Sequence, residues 1–525
     1  MKNITTVLEV LSPGAHITNV DGVLRLPLPP LEFSAIVIAL VSKHGLRLAL
    51  MYGTDDSKTN QMYGVHVVLT SDIPEDSWLV VSTAVVMDNP TYPSLTTQLM
   101  SAYWYERYLH DMFGIIPEGH PDLRRLVHHE NIPEGTYPLR KDFAWNAKLP
   151  VANVPFPMPH VAGEGIFEIP VGPIHAGIIE PGHFRFSVAG ERIITLEGKL
   201  FFTHKGVEKL IEGKTPLEAL PFIERISGDM SAAHSLAYVS AVENALDVVP
   251  SNSSHAIRAF LVEMERITMH IHDIANIGGM GTGFALISSR GFAIKERMMR
   301  LSAALCGNRF WRGMIIPGGI TRVFTQDEII HALEITTSAV ADMMRVADIA
   351  LSSEAFRERL DTTGTLQKET ALAYGALGIA ARGSGILRDA RANNPYGAYK
   401  EVIMNIPIRV EGDIMARFAL RIDELKESLR LIALFAEQTR DTRKSSSLGV
   451  DKIRSDGFGI GIAESWRGEI VVAVHITHGV IERCVVRDPS FINWQLFGEL
   501  APGNIIPDFP LCNKSLNLSY SGTDM

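Results

Sequence analysis

The sequence predicts an α+β protein in two parts: a small N-terminal α+β domain, then a mainly helical domain that also carries β elements. Three observations lead there. Short β-like runs at Leu46–Met51, Gly64–Leu69 and Trp78–Val86 are separated by turn residues. The tract from Ala144 to Gly165 holds Pro150, Pro155, Pro157 and Pro159, and reads as an extended linker. Beyond it, Ile257, Phe260, Leu261, Met264, Ile267, Ile271 and Ile274 recur at three- and four-residue steps, the mark of a long helix.

The parts follow in order. Residues 1–30 form a short lead closed by Pro27, Pro29 and Pro30, and the first domain spans 31–145. After its β-like runs comes a helix from about Leu95 to Leu109, then the polar stretches Glu106-Arg107, His110-Asp111, His120–Arg125 and Pro138–Phe143. Residues 146–165 are the linker, and the second domain covers 166–525. It opens at Phe167 with β-like runs, alternating again from Phe184 to Phe202 as a meander. The chain is organised around Phe222–Arg322, a dense helical stretch interrupted by Gly278-Gly279-Met280-Gly281-Thr282-Gly283, where backbones approach closely. Glu263, Glu265, Arg266, His270 and Asp273 are threaded through its apolar helix. Thr325-Gln326-Asp327-Glu328 is a capping box opening a helix to about Leu360. Glu411-Gly412-Asp413 leads into a helix through Glu424. Residues 441–456 form a polar loop, and a last β-like element starts at Glu464.

Composition narrows the function. Of 525 residues, 46% are apolar and 21% charged, as in a globular protein. A net charge of -10 argues against nucleic acid as a partner, since phosphate binding needs a basic footprint. Cys306, Cys484 and Cys512 are the three cysteines and form no CxxC pair. That excludes a disulfide framework, a zinc ribbon and an all-cysteine iron–sulfur site, and it fits a reducing cytoplasm. Met1-Lys2-Asn3-Ile4 leads into no signal peptide. The longest apolar run, Phe33–Val41, is too short to span a bilayer, so membrane attachment is expected through partner subunits.

On these residues a family resemblance rests. Residues 31–145 resemble the smaller quinone-module subunit of respiratory complex I, through Glu106-Arg107, His110-Asp111, His120–Arg125 and Pro138–Phe143. Residues 165–525 resemble its larger partner and, more closely, the large subunit of membrane-bound, energy-converting nickel–iron hydrogenases of the formate hydrogenlyase and hydrogenase-4 type. In active members of that family, two CxxC pairs hold nickel and iron as thiolates. Matching Glu224-Arg225 and His234 places Ser227 and Met230 at the first pair, and matching the C-terminal region places Ser519 and Gly522 at the second. No thiol stands at any of the four positions, so a nickel–iron centre is not expected, nor any metal ligand in this chain.

The resemblance implies the rest. The tyrosine that meets the quinone head group in complex I falls on Gly228, and its histidine on either His175 or His183. Glu208 matches a position near the relatives' proton path, and Arg467, in Trp466-Arg467-Gly468, a basic residue above the active cavity. We expect Ser227, Gly228, Met230, Ser519 and Gly522 to line one pocket, open to a planar head group, with Asp229 as a polar contact. The expected function is a subunit of a complex I-like oxidoreductase on the cytoplasmic face of the membrane. It passes electrons from the iron–sulfur cluster of a small partner subunit to a quinone or other acceptor, beside integral antiporter-like subunits. A non-catalytic scaffold that docks the iron–sulfur subunit is the alternative.

Overall fold

The computed structural model describes residues 4–14, 16–71, 78–175, 179–439 and 454–525. The N-terminal sheet has five strands in the order β1-β2-β5-β4-β3: β1 (Thr18–Val20), β2 (Val23–Pro27), β3 (Arg47–Asp55), β4 (Met62–Thr70) and β5 (Leu79–Val86). Residues 18–27 are therefore no lead. β2 runs parallel to β5, Leu24 opposite Leu79, and Leu26 is fully buried, because the strand completes a hydrogen-bonded edge. Pro27, Pro29 and Pro30 end that strand and start the helix α1 (Pro30–His44), where a proline at the first position loses no bond.

The helix expected from Leu95 begins later, at α2 (Tyr103–Phe113), after a 3-10 turn at Met100–Ala102. The cause is Glu106. Its buried carboxylate accepts from Tyr92 Oη, Ser94 Oγ, Leu95 N, Thr96 N and Thr96 Oγ1, at 2.6–3.2 Å, and so holds residues 92–96 as a loop. After the linker, β6 (Ile166–Val171), β7 (His183–Ala189) and β8 (Arg192–Lys199) form an antiparallel sheet.

The core of the second domain is helical. It contains α3 (Ser231–Leu246), α4 (Asn252–Asn276), α5 (Ala285–Cys306), α6 (Gln326–Leu351) and α7 (Ile414–Gln438). The capping box at Thr325–Glu328 is present, but the helix stops at Leu351, and Ser353 caps a separate turn, Glu354–Leu360. Asp413 caps α7 by accepting from Ala416 N, and that helix continues well past Glu424. Residues 440–453, most of the expected polar loop, lie outside the described residues.

The last sheet, β9 (Gly457–Glu464), β10 (Glu469–Thr477) and β11 (Val480–Arg487), starts seven residues before Glu464. Its early start is a packing device. Gly457, Gly459 and Gly461 alternate along one face of β9, and a Cβ on them would fall 1.9–2.1 Å from the carbonyl oxygens of Ala245, Ala241 and Ala237. Those alanines repeat every four residues on α3, so a smooth helix stripe lies directly on a strand without side chains. Ser465–Gly468 form the tight turn into β10, with Ser465 Oγ donating to the Gly468 carbonyl.

Candidate functional site

The site sits where α3 begins and where that β9–β10 turn reaches it. Ser227 Oγ lies 3.0 Å from Ser519 Oγ, so segments at opposite ends of the second domain meet. Ser519 caps the terminal turn Tyr520–Asp524, accepting from Gly522 N at 2.9 Å. Ser227 also donates to Asp229 Oδ1 at 2.9 Å. Arg467, carried by the turn, grips the Asp229 carboxylate with both terminal nitrogens, at 2.7 and 2.9 Å, and its Nε donates to the Asn517 carbonyl. Burial pushes the Asp229 carboxyl up, but the Arg467 guanidinium outweighs it and holds the group at about 2. Asp229 therefore stays ionised.

Ser227 and Met230 are fully buried. Gly522 is not the gap the sequence suggested: a Cβ there would meet Asp488 Oδ2 at 2.4 Å, so the Asp488 carboxylate fills that side. Asp488 in turn faces His234 Nε2 at 3.3 Å, both side chains wholly buried. Sequence reading passed over Asp488. Its signal was the Asp488-Pro489-Ser490 start of a helical turn, which the side chain caps by accepting from Ser490 N. A cavity of about 10 Å³ lies behind Asp229, between Glu265, Thr268, Lys295 and Arg309. That cavity holds one water at most, and Ser227, Met230 and Ser519 are themselves buried.

The outer side differs. Gly228 is exposed, and a Cβ on it would meet only Arg312 Nη2, at 3.2 Å. The Asp229 side chain remains 29% exposed. His175 Nε2 and His183 Nδ1 lie 2.8 and 3.2 Å from the carbonyls of Gly182 and Gly172, joining the end of β6 to the start of β7. Neither ring reaches Asp229 through a direct bond. Glu180 leans on the site, since its Oε2 accepts from Ser521 N, and Ser521 Oγ donates to the Ile226 carbonyl.

Glu208 lies elsewhere, at the seam of the two domains. Its Oε2 accepts from Tyr108 Oη at 2.9 Å and from Arg483 Nη2 at 3.0 Å. A cavity of about 30 Å³ beside it is bounded by Tyr52, Tyr108 and Thr523, and Thr523 Oγ1 donates to the Ser519 carbonyl. Glu208 thus stands one small cavity and one side chain away from Ser519.

Behind the site, α4 and α7 flank a buried ionic cluster. Glu263, Asp389, Glu424 and Glu464 face Arg266, Arg382 and Arg391, with His270 Nε2 donating to Glu424 at 2.7 Å. Arg382 bridges Glu424, at 2.5 Å, and Glu464, at 3.0 Å. Burial, then the neighbouring Asp389, push the Glu464 carboxyl up to about 7. Arg266 donates to the carbonyls of Glu464 and Ser465, so the cluster anchors the turn that carries Arg467.

The donor set does not fit a nickel–iron centre. Ser227 and Ser519 offer hydroxyls bonded to each other, Met230 a neutral thioether and Gly522 no side chain, whereas such a centre takes thiolates. Among the described residues, no three His, Cys, Asp or Glu side chains are grouped to hold a metal ion.

Comparison with known proteins adds three family matches. Residues 28–148 match the respiratory-chain NADH dehydrogenase 30 Kd subunit, 205–274 the nickel-dependent hydrogenases, and 279–454 the respiratory-chain NADH dehydrogenase 49 Kd subunit. The chain is 31% identical to formate hydrogenlyase subunit 5 of Escherichia coli (strain K12) over 497 residues, which is 93% of this chain and 86% of that relative. Hydrogenase-4 component G of the same strain is 30% identical with equal coverage. The membrane-bound hydrogenase subunit alpha of Pyrococcus furiosus is 29% identical over 373 residues, 68% of this chain and 87% of that protein.

Proposed function

Because the chain belongs to the family of formate hydrogenlyase subunit 5 and hydrogenase-4 component G, we propose that it is the two-module electron-transfer subunit of a membrane-attached, complex I-like oxidoreductase without hydrogenase activity of its own. In this reading it sits on the cytoplasmic face of the membrane and takes electrons from a small iron–sulfur partner. It passes them to a quinone or other acceptor, beside integral antiporter-like subunits. No helix among the described residues is long and apolar enough to cross a membrane, which leaves attachment to partners.

The observation that carries the reading is the Ser227–Ser519 contact under the Asp229–Arg467 pair. The two segments that grip metal in the hydrogenases are still joined here, through hydroxyls and a guanidinium. Because the inner pocket is packed, we assign the acceptor to the open face at Gly228, completed by the partner. Arg467 sits beneath that face with its charge neutralised by Asp229, and responds as negative charge develops on the acceptor. Glu208 is the proton carrier in this scheme, through the cavity that ends at Thr523. The scaffold reading has its own support: fully buried Met230 and the Asp488 carboxylate occupy the space a cofactor would need.

Two experiments separate these readings from each other and from the hydrogenases. Elemental analysis of the purified complex is expected to find no stoichiometric nickel, and hydrogen evolution is expected to be absent. One nickel per chain would overturn the proposal. Replacing Gly228 by Trp should leave the chain folded, since Gly228 is exposed and a Cβ there meets only the far end of the Arg312 side chain, and in the assembled complex it should lower electron transfer to a quinone analogue by at least about tenfold. Unchanged turnover in the assembled variant would hand the function to the scaffold reading.

A further inference from the structure

We propose that protons reach Glu208 from the seam between the two domains, through the side chains of His475 and Tyr52, an inference that rests on Glu208 being the proton carrier of the proposed function. Two cavities flank this route. The inner one is the cavity of about 30 Å³ beside Glu208, lined by Tyr52, Tyr108 and Arg483. The outer one holds about 140 Å³, with Thr54 of β3 and His66 of β4 on one side and His475 of β10 and Arg483 of β11 on the other. Glu482, which also lines it, is exposed, so the outer cavity meets solvent.

His475 joins the two. It is half-buried and lines the outer cavity, and its Nε2 lies 3.2 Å from the hydroxyl of Tyr52, which lines the inner one. Arg483 lines both cavities but does not carry the proton. Its Nη2 donates to Glu208 and its Nε to the Gly53 carbonyl, and a guanidinium keeps its hydrogens. The imidazole and the phenol hydroxyl are thus the groups that hand a proton across. The Tyr52 ring is held for this by stacking on His66, with centroids 4.8 Å apart. His66 is fixed in turn, its Nε2 3.0 Å from Thr54 Oγ1 and its Nδ1 2.8 Å from Ser82 Oγ. Gly64 leaves room for that arrangement, because a Cβ there would stand 2.3 Å from Thr54 Oγ1 and 2.6 Å from His66 Nε2.

Burial, then the neighbouring His66 and Arg25, hold the His475 pKa well below its ordinary value. The ring is therefore neutral, with a hydrogen on one nitrogen and a lone pair on the other. With the hydrogen on Nε2, donated to Tyr52 Oη, the lone pair of Nδ1 is left for water in the outer cavity. A proton added at Nδ1 releases the one on Nε2 to Tyr52 Oη, and the hydroxyl's own proton leaves into the inner cavity toward Glu208. One proton enters, one leaves, and no electron moves. The inner cavity has room for about two waters, with Glu208, Tyr108 and Arg483 as polar partners. The outer cavity gathers protons, since Asp55, Asp56, Glu212 and Glu482 outnumber Lys141 and Arg483 along its walls. Burial, with Glu482 and Asp55 beside it, raises the Asp56 carboxyl against the pull of the Thr54 hydroxyl.

The test uses the purified complex, read as turnover of a quinone analogue. Tyr52→Phe keeps the ring and its stack and removes only the hydroxyl, so turnover is expected to fall about tenfold or more with an unchanged melting midpoint. The turnover that remains should show a larger solvent deuterium isotope effect than wild type. His475→Ala should lose as much, and imidazole added to the buffer should restore a large part of it, because the vacated position opens on the outer cavity. Full turnover in either assembled variant overturns the route, and so does a loss in His475→Ala that imidazole leaves untouched. With wild type active, those results remove the route alone. A wild-type complex that moves no electrons overturns the proposed function itself, and the route with it.

Discussion

Arg382→Met is expected to destabilise the protein by about 3–5 kcal/mol, the usual cost of removing one partner from a buried ion pair. Arg382 is fully buried and is bonded to Glu424 and Glu464, with Asp389 at 3.3 Å. Methionine matches much of its volume, so the loss reads as charge left behind rather than as a void. The deficit should also depend on pH. With one cation gone, the carboxylates near it take up protons, and Glu464 already does so at about 7, because burial and Asp389 raise it. A raised carboxyl pKa means that the folded state holds a proton which the unfolded chain releases above its ordinary value, so stability falls as pH rises through that window. Chemical unfolding of wild type and variant should therefore give a smaller gap at pH 5 than at pH 8. A gap that does not change with pH would mean that the cluster is solvated and not dry.

Gly461→Val should be at least as damaging. The added Cβ would meet the Ala237 carbonyl oxygen at 2.1 Å and the Ala241 nitrogen at 2.4 Å, and both are backbone atoms that no rotamer change can move aside. Overpacking in a core costs about 1–3 kcal/mol when side chains can shift, and more when they cannot. The expected result is loss of soluble, assembled protein at growth temperature. Ala241→Gly beside the mutation should give no rescue, because the clash is with main chain. Normal yield and an unchanged melting midpoint for Gly461→Val would show that α3 can lift off β9 at little cost.

How far the sequence foretold this structure depended on whether the deciding interactions were local. The long apolar period of α4, the capping box at Thr325–Glu328 and the strands β3–β5 rest on neighbours along the chain, and they were legible. The five-stranded sheet was only partly so. β2 forms because β5, more than fifty residues away, offers it a parallel edge, and nothing within residues 18–27 announces that. The late start of α2 has the same character, since Glu106 reaches back to five donors and overrides local helix preference. At the site, the meeting of Ser227 with Ser519 was inferred by way of the family. The packing around them was not, because Asp488 reaches Gly522 from a separate helical turn. The glycine alternation at 457–461 stood in plain view, but its meaning needed the alanine repeat of α3, two hundred residues earlier.

That glycine–alanine seam has a mechanical consequence. Asp229 precedes α3 by two residues, and Arg467 rides the turn at the end of β9, so the two halves of the site's ion pair are mounted on beams welded along their length. With main chain resting on main chain, no compliant side chains lie between them to absorb a push. A displacement of β9 would therefore carry α3 with it, and Arg467 and Asp229 together. The spacing of Asp229 and Arg467 would be conserved while their position relative to whatever docks on the open face changed.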